Sequence, residues 1–413
     1  MLKDSLRGAI DALPGYRVKQ AIFTTYAFEP EFFESSILPL LLPDGEKNLS
    51  LHVAVRRLQL ESILRAAPID IDVYFDARVV MPGCPLLPYG MKAMRLPQGE
   101  FHGKVVLLRL EDDAGHVRCI LGAGSANLTQ AGWWENIEAC HFAKPFDPSR
   151  PPARILPGVK SLLDFLVRNS EAGKATTALR RSFRDAATVA AKGDDPVFGV
   201  FLPRKGNFLD WLQEQQLVKR RGDDAPLEII SPYFADSDHA KLVEALLGAT
   251  RCNSVDVWLP VDPWQAGGPA ALIERTCYDA LSSSSDLRWC QMRDAGLASS
   301  RDREGTPRFM HAKVIRQPGR FCFMGSVNFS HKAFRVNFEA GFLFPDQGTA
   351  WLKPLADQPK RFLKPVEQAR HEGVDDSVPE LRAAFNWQTG KLSIGFARIT
   401  EGEKLDDRAA SLL

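Results

Sequence analysis

Six polar residues recur in one register at two places in the chain. His102, Lys104, Ser125, Asn127, Asn136 and Glu138 have counterparts in His311, Lys313, Ser326, Asn328, Asn337 and Glu339. Counted from each serine, the asparagines fall 2 and 11 residues later and the glutamate 13 later in both copies. Only the gap between H-x-K and the serine differs, through a surface-type insertion around residues 111–115. Polar residues repeated in register are not a core pattern, so the chain holds two copies of one unit that aim the same chemistry. An imidazole titrates near neutrality and suits a nucleophile or a general acid, and here there are two. Two lysines and two asparagines supply charge and donors for the non-bridging oxygens of a phosphodiester. A carboxylate such as Glu138 or Glu339 can hold a histidine Nδ1–H and so fix the tautomer that leaves Nε2 free. The carboxylates are too few and too dispersed to cage magnesium, so the expected mechanism needs no metal and no cofactor.

The elements that must position these groups alternate between strand and helix. Strands are expected at 18–25, 69–80, 104–110, 117–122 and 136–142, then at 197–202, 227–233, 255–261, 287–292, 321–324, 337–344 and 392–399. Helices are expected at 29–42, 157–169, 174–191, 208–218, 238–248 and 269–281. Strands alternating with helices argue for an α/β layered architecture. Along a strand, side chains alternate faces, so His102 and Lys104 share one face, as do His311 and Lys313 and each Asn-x-Glu pair. The first unit is expected over 1–173 and the second over 174–413.

Composition limits what the chain can be. Its 413 residues suffice for two ordinary domains, and a net charge of +1 gives no global attraction to nucleic acid or to acidic membrane, so anion binding must be local. The seven cysteines are scattered and never in C-x-x-C spacing, which reads as buried free thiols of a reducing compartment rather than a zinc site. The N-terminal stretch has no apolar signal segment, and the longest greasy run, 37–42, is too short to span a bilayer. The expectation is a soluble cytoplasmic protein.

H-x-K, then G-S-x-N, then N-x-E, present twice, resembles the phospholipase D superfamily. That resemblance implies two phospholipase D-like α/β/α halves related by a pseudo-twofold axis, with both H-x-K segments meeting in one cleft. It implies that one histidine forms a covalent phosphohistidine while the other protonates the leaving oxygen and then activates water. By the same family pattern His102 is the nucleophile and His311 the acid. Many members carry Asp five residues after the motif lysine, where this chain has Arg109 and Pro318. Loss of that Asp resembles the tyrosyl-DNA phosphodiesterase branch, whereas the G-S-x-N and N-x-E pieces look more like the bacterial nuclease branch, whose members often serve in defence or restriction systems.

The function expected is therefore a phosphodiesterase acting on nucleic acid, DNA favoured, as a nuclease or a hydrolase of blocked DNA ends. A phospholipase or phosphatidyltransferase is the alternative enzyme, and a nucleic-acid-binding subunit with a vestigial site is the alternative from another class. Lys92 and Arg95 before the first H-x-K, and Arg301, Arg303 and Arg308 before the second, are candidate rim contacts to a polyanion, or else solvated charges. Ser125 and Ser326 read equally well as turn residues that support the loop. Trp133 and Trp134 suit packing better than base stacking, and His116 and His331 suit a solvated loop and a helix start.

Overall fold

The computed structural model describes residues 2–42, 49–50, 52–66, 69–79, 81, 83, 85–190, 195–203, 206–215, 225–234, 239–262, 269–293, 308–363, 380–386 and 391–397. Two sheets carry the two motif sets. The first contains β1 (Arg17–Thr25), β2 (Asp70–Asp76), β3 (Gly90–Met94), β4 (Val105–Glu111), β5 (Val117–Gly124) and β6 (Cys140–Phe142), in the order β3-β2-β1-β4-β5-β6. The second half supplies β7 (Val197–Phe201), β8 (Leu227–Ile230), β9 (Val255–Trp258), the short pair β10 (Val261–Asp262) and β11 (Ala270–Ala271), β12 (Leu287–Met292), β13 (Val314–Gln317), β14 (Phe321–Gly325), β15 (Glu339–Pro345) and β16 (Leu352–Pro354). Its main sheet runs β16-β12-β9-β8-β13-β14-β15-β7.

Within that order, β12-β9-β8-β13-β14-β15 reproduces the first sheet strand for strand. The first three strands of each set pair in parallel and the remaining pairs are antiparallel. The duplication seen in the polar residues is thus a duplication of topology, with β16 and β7 added at the two edges. Parallel neighbours need a crossover. Helix His239–Thr250 supplies it between β8 and β9, and helix Arg275–Ser282 between β9 and β12. Between β1 and β2 the chain runs through Pro30–Phe32, a π-wound turn Phe33–Ile37, Leu38–Leu41 and helix Val53–Ala66.

The halves share a buried layer. One apolar cluster joins Ile22, Phe101 and Leu107 of the first half to Phe198, Phe338 and Phe342 of the second. At its centre Phe338 stacks on Phe101 and Phe165, with centroids 4.6 and 4.5 Å away and near-parallel planes. Such pairs contribute about 0.5–1.5 kcal/mol each beyond area burial. Two short parallel bridges cross between halves at equivalent points, Phe101 with Phe338 and Ile137 with Met310. Helix Lys174–Ser182 packs against the first sheet, where Thr176 donates to Asp72 and meets the Tyr74 hydroxyl at 2.7 Å.

Several elements depart from the sequence expectations. The helix expected over 174–191 stops at Ser182, because residues 187–189 run extended against 149–153, as β-branched Thr188 and Val189 favour. The helix expected from 269 begins only at Arg275, since Ala270–Ala271 pairs with β10. Of the strand expected over 136–142, only Cys140–Phe142 joins the sheet; Ile137 instead reaches across to Met310. Helices Leu2–Asp11 and Val53–Ala66, strand β3 and the hairpin β17 (Glu380–Asn386) with β18 (Lys391–Ala397) add to the expected set, β18 falling on the late strand expected over 392–399. Cys119, Cys252, Cys277, Cys290 and Cys322 are buried free thiols and Cys140 is half-buried, while Cys84 lies outside the described residues. Among the described residues no helix is long and apolar enough to cross a membrane.

Candidate active site

Each histidine sits just before the equivalent strand of its sheet. His102 precedes β4 and His311 precedes β13, where the cross-half bridges hold the backbone: His102 N–H donates to the Phe338 carbonyl at 2.9 Å and His311 N–H to the Ile137 carbonyl at 2.8 Å. The imidazoles are then held by the opposite half. His102 Nδ1 lies 2.9 and 3.0 Å from the two carboxylate oxygens of Glu339, and His311 Nδ1 lies 2.7 Å from Glu138 Oε1. With Nδ1–H donating to a carboxylate, the neutral ring presents an unprotonated Nε2. Glu138 therefore serves the histidine of the other repeat, not its own, and Glu339 does the same in return.

Every remaining motif residue except Asn127 and Asn328 braces this arrangement. The Ser125 hydroxyl donates to Glu138 and accepts from Ala139 N–H at 2.9 Å; Ser326 donates to Glu339 and accepts from Ala340 N–H at 3.0 Å. The Asn136 and Asn337 amides donate to the same two carboxylates at 3.4 and 3.2 Å, and Asn337 Oδ1 also accepts from Glu100 N–H. Lys104 Nζ donates to the His102 carbonyl at 2.7 Å and Lys313 Nζ to the His311 carbonyl at 2.8 Å. Asn127 Oδ1 accepts from Ala27 N–H at 3.3 Å, which orients its amide; the buried Oδ1 of Asn328 has no such partner among the described residues.

The two H-x-K segments differ at the middle residue, and the packing explains it. A Cβ on Gly103 would lie 2.5 Å from the Phe338 ring. The equivalent Ala312 belongs to a cluster with Ile137, an aliphatic side chain where the other half has phenylalanine. Gly103→Ala is expected to destabilise the fold by about 1–3 kcal/mol through overpacking. Adding Phe338→Ile, which copies the other half, is expected to recover most of that loss, as denaturant titration of the single and double variants will show.

Burial dominates the site's ionisation. It lowers His102 well below the ordinary imidazole value, with the charges of Lys104 and Lys313 acting in the same direction. It lowers His311 to about 4, against the opposing pull of Glu138. It lowers Lys313 to about 7 and raises Glu339 to about 7. Burial also works to raise Glu138, but His311 and Lys313 outweigh it and the carboxyl ends lower than usual. The unfolded chain binds a proton on His311 near 6.5 and the folded chain only near 4, so this group costs stability as pH falls through that window. Glu339 acts oppositely between 4.5 and 7, because there the folded state binds the extra proton. The comparison with His311→Asn isolates the imidazole: between pH 7 and 4.5 the variant is expected to lose less stability than the parent in denaturant titrations.

Two residues at the site escaped the sequence reading. The Tyr26 ring lies edge-on to His102 at 5.1 Å with Lys104 Nζ 5.6 Å from its centroid; Tyr233 does the same for His311 and Lys313 at 6.0 and 5.9 Å. They follow equivalent strands, Tyr26 after β1 and Tyr233 after β8. They are one position out of register, since Thr25 and Ser231 occupy equivalent places: each hydroxyl donates to the carbonyl two residues on and accepts from Leu128 or Phe329 N–H. An alignment of the repeats therefore does not pair the tyrosines.

The candidate rim cations lie elsewhere or are already engaged. Arg308 donates to the carbonyls of Glu135 and Asn136 at 2.7 and 2.5 Å, tying the second half to the loop before Glu138. Lys92, on β3, lies 3.9 Å from Glu171, and Arg95 is exposed just beyond that strand. Arg301 and Arg303 lie outside the described residues. Arg109, at the first family Asp position, pairs with Glu111 and Gln20. Trp133 is buried in the first-half core and Trp134 packs on Phe32, while His116 pairs with Asp112 at the surface.

Known proteins resemble this chain in part of its sequence and in its fold. Residues 225–358 match the family model described as cardiolipin synthase, PLD-like domain. No curated protein matches the chain by sequence. Among solved structures, yeast tyrosyl-DNA phosphodiesterase superposes with a TM-score of 0.50 at 12% identity, over 86% of this chain and 91% of that one. A variant of the same enzyme reaches 0.52 at the same identity and coverage. Phosphatidylserine synthase from Haemophilus influenzae Rd KW20 is similar at 13% identity and a TM-score of 0.42, over 84% of this chain and 80% of its own. Residues 225–358 are thus similar in sequence to a PLD-like domain, and the chain shares the fold of tyrosyl-DNA phosphodiesterase.

Proposed function

We propose that the chain is a metal-independent phosphodiesterase that cleaves nucleic acid, DNA by preference, through a phosphohistidine intermediate. The observation that carries this reading is the crossed pairing of each imidazole with the carboxylate of the other half, which makes one site out of two H-x-K segments. In the first step His102 Nε2 attacks phosphorus, the bond to the leaving oxygen breaks, and His311 gives that oxygen a proton. In the second, His311 takes a proton from water, the water oxygen bonds to phosphorus, and the P–N bond breaks to regenerate His102. The lysine ammoniums of Lys104 and Lys313 and the amides of Asn127 and Asn328 donate to the non-bridging oxygens, where charge grows in the transition state. An arriving phosphodiester anion favours the charged forms of Lys313 and His311 that burial disfavours. A DNA substrate is in keeping with the fold shared with tyrosyl-DNA phosphodiesterase.

The test is an assay of labelled single-stranded DNA, duplex DNA, RNA and phospholipid vesicles on the full chain. Cleavage of nucleic acid is expected. Hydrolysis of lipid alone replaces the reading with a phospholipase, and tight binding without turnover replaces it with a vestigial site. Cleavage is also expected to survive EDTA, since among the described residues no cluster of three or more His, Cys, Asp or Glu is arranged to hold a metal. Activity abolished by chelator and restored by magnesium or manganese contradicts the chemistry.

A further inference from the structure

Away from the histidines, helices Leu156–Asn169 and Lys174–Ser182 enclose a groove of about 380 Å3. Lys160 walls it from the first helix, Arg180 and Arg181 from the second, and Arg184 from the turn that follows. Its single acid, Asp164, is taken up by Arg180 at 2.9 and 3.0 Å. Lys160, Arg181 and Arg184 are exposed and have no carboxylate partner among the described residues. Arg181 and Arg184 stand three residues apart, a spacing at which like charges repel by a few tenths of a kcal/mol. The partial negative charge at the end of helix Lys174–Ser182 favours cations there. It does not account for Lys160, which enters from the N-terminal part of the neighbouring helix. The floor, by contrast, is apolar, with Leu163, Val167 and the buried Phe183.

The groove is close to the site through the fold. Phe165, next to Asp164, turns inward and stacks on Phe338, and Phe338 precedes the Glu339 that holds His102. One helix, about 10–12 Å across, and one layer of rings separate the two. On the other side Lys92 of β3 approaches Glu171, beside the Ala172 that lines the groove, so the charge there is paired and the unpaired cations are those of the two helices and the turn.

We infer that this groove is a second binding track for a single strand of nucleic acid whose scissile phosphate occupies the histidine site. It rests on the nucleic-acid reading above. The volume suits about one nucleotide, the apolar floor suits a base face, and the unpaired cations suit the flanking phosphates.

The experiment measures binding of a fluorescent single-stranded oligonucleotide to the full chain across a salt series, in a His102→Asn background that does not turn over. Arg181→Glu/Arg184→Glu is expected to weaken binding about tenfold or more near 0.1 M salt. It is also expected to make the log–log salt slope shallower by about 1.4, at roughly 0.7 per lost phosphate contact. Lys160→Glu, on the other helix, is expected to act in the same direction. With His102 intact, all these variants are expected to hydrolyse bis(p-nitrophenyl) phosphate, too small to reach the groove, within about twofold of the parent. Unchanged affinity and slope alongside normal hydrolysis of the small diester overturns the track. Binding of polyphosphate as tight and as variant-sensitive as that of the oligonucleotide overturns the strand-specific part. Failure of the parent to hydrolyse any diester instead counts against the catalytic reading, and the oligonucleotide binding series still decides the groove.

Discussion

Glu339→Gln is expected to cut turnover by about 10^4-fold, the order of loss known when the carboxylate orienting a catalytic imidazole becomes its amide. The effect should run through His102, a residue of the other half, because that is the ring Glu339 holds. An amide N–H facing Nδ1 turns that nitrogen into an acceptor and moves the ring proton to Nε2, which removes the attacking lone pair. Glu138→Gln acts on His311 in the same way. With an activated aryl ester, whose leaving group needs no proton, Glu138→Gln is expected to keep the first step and Glu339→Gln to lose it. Double-mutant cycles give the pairing directly: Glu339→Gln should add little to His102→Asn but multiply with His311→Asn. The opposite pattern means that each glutamate serves its own repeat.

Replacing the histidines themselves should separate the two steps. His102→Asn is expected to abolish the covalent adduct with every substrate. His311→Asn is expected to lower cleavage of an ordinary diester by about 10^2–10^4-fold, the usual contribution of a general acid. With an aryl ester it should still form the adduct and then accumulate it, because the water of the second step has lost its base. The site's electrostatics favour this assignment. Burial and two lysines keep His102 well below its ordinary value, hence neutral as a nucleophile must be. His311 is lowered too, to about 4, but there Glu138 pulls against burial, toward the protonated form that an acid needs and that an arriving phosphodiester anion favours further. Adduct formation by His102→Asn but not by His311→Asn reverses the roles.

The candidate site was legible because twelve polar residues share a register that no core requires. The strands around them were legible from alternation, and the duplicated sheet order followed from two copies of one unit. The crossing was not legible. Period-two alternation places Glu138 and Asn136 on one face, but Ile137 leaves the sheet to pair with Met310 of the other half, and nothing local to residues 136–138 announces that. Helix Val53–Ala66 was missed because exposed Val55 and Leu58 blur its apolar face. β3 was missed because Gly90 and Lys92 dilute a five-residue edge strand. Tyr26 and Tyr233 were missed because the repeat register does not align them. Lys92 was read as a rim cation from its position in the chain, whereas β3 carries it to the helices beside Glu171.

The most direct test of the central claim is the stoichiometry of the covalent intermediate. The full chain, in EDTA, is mixed with a phosphorus-labelled oligonucleotide, quenched during turnover, digested and mapped by mass spectrometry. One phosphohistidine per chain, on His102, is the expected result. Cleavage with no phosphorus on any residue, or labelling of His102 and His311 within one chain, contradicts a single site built from both halves.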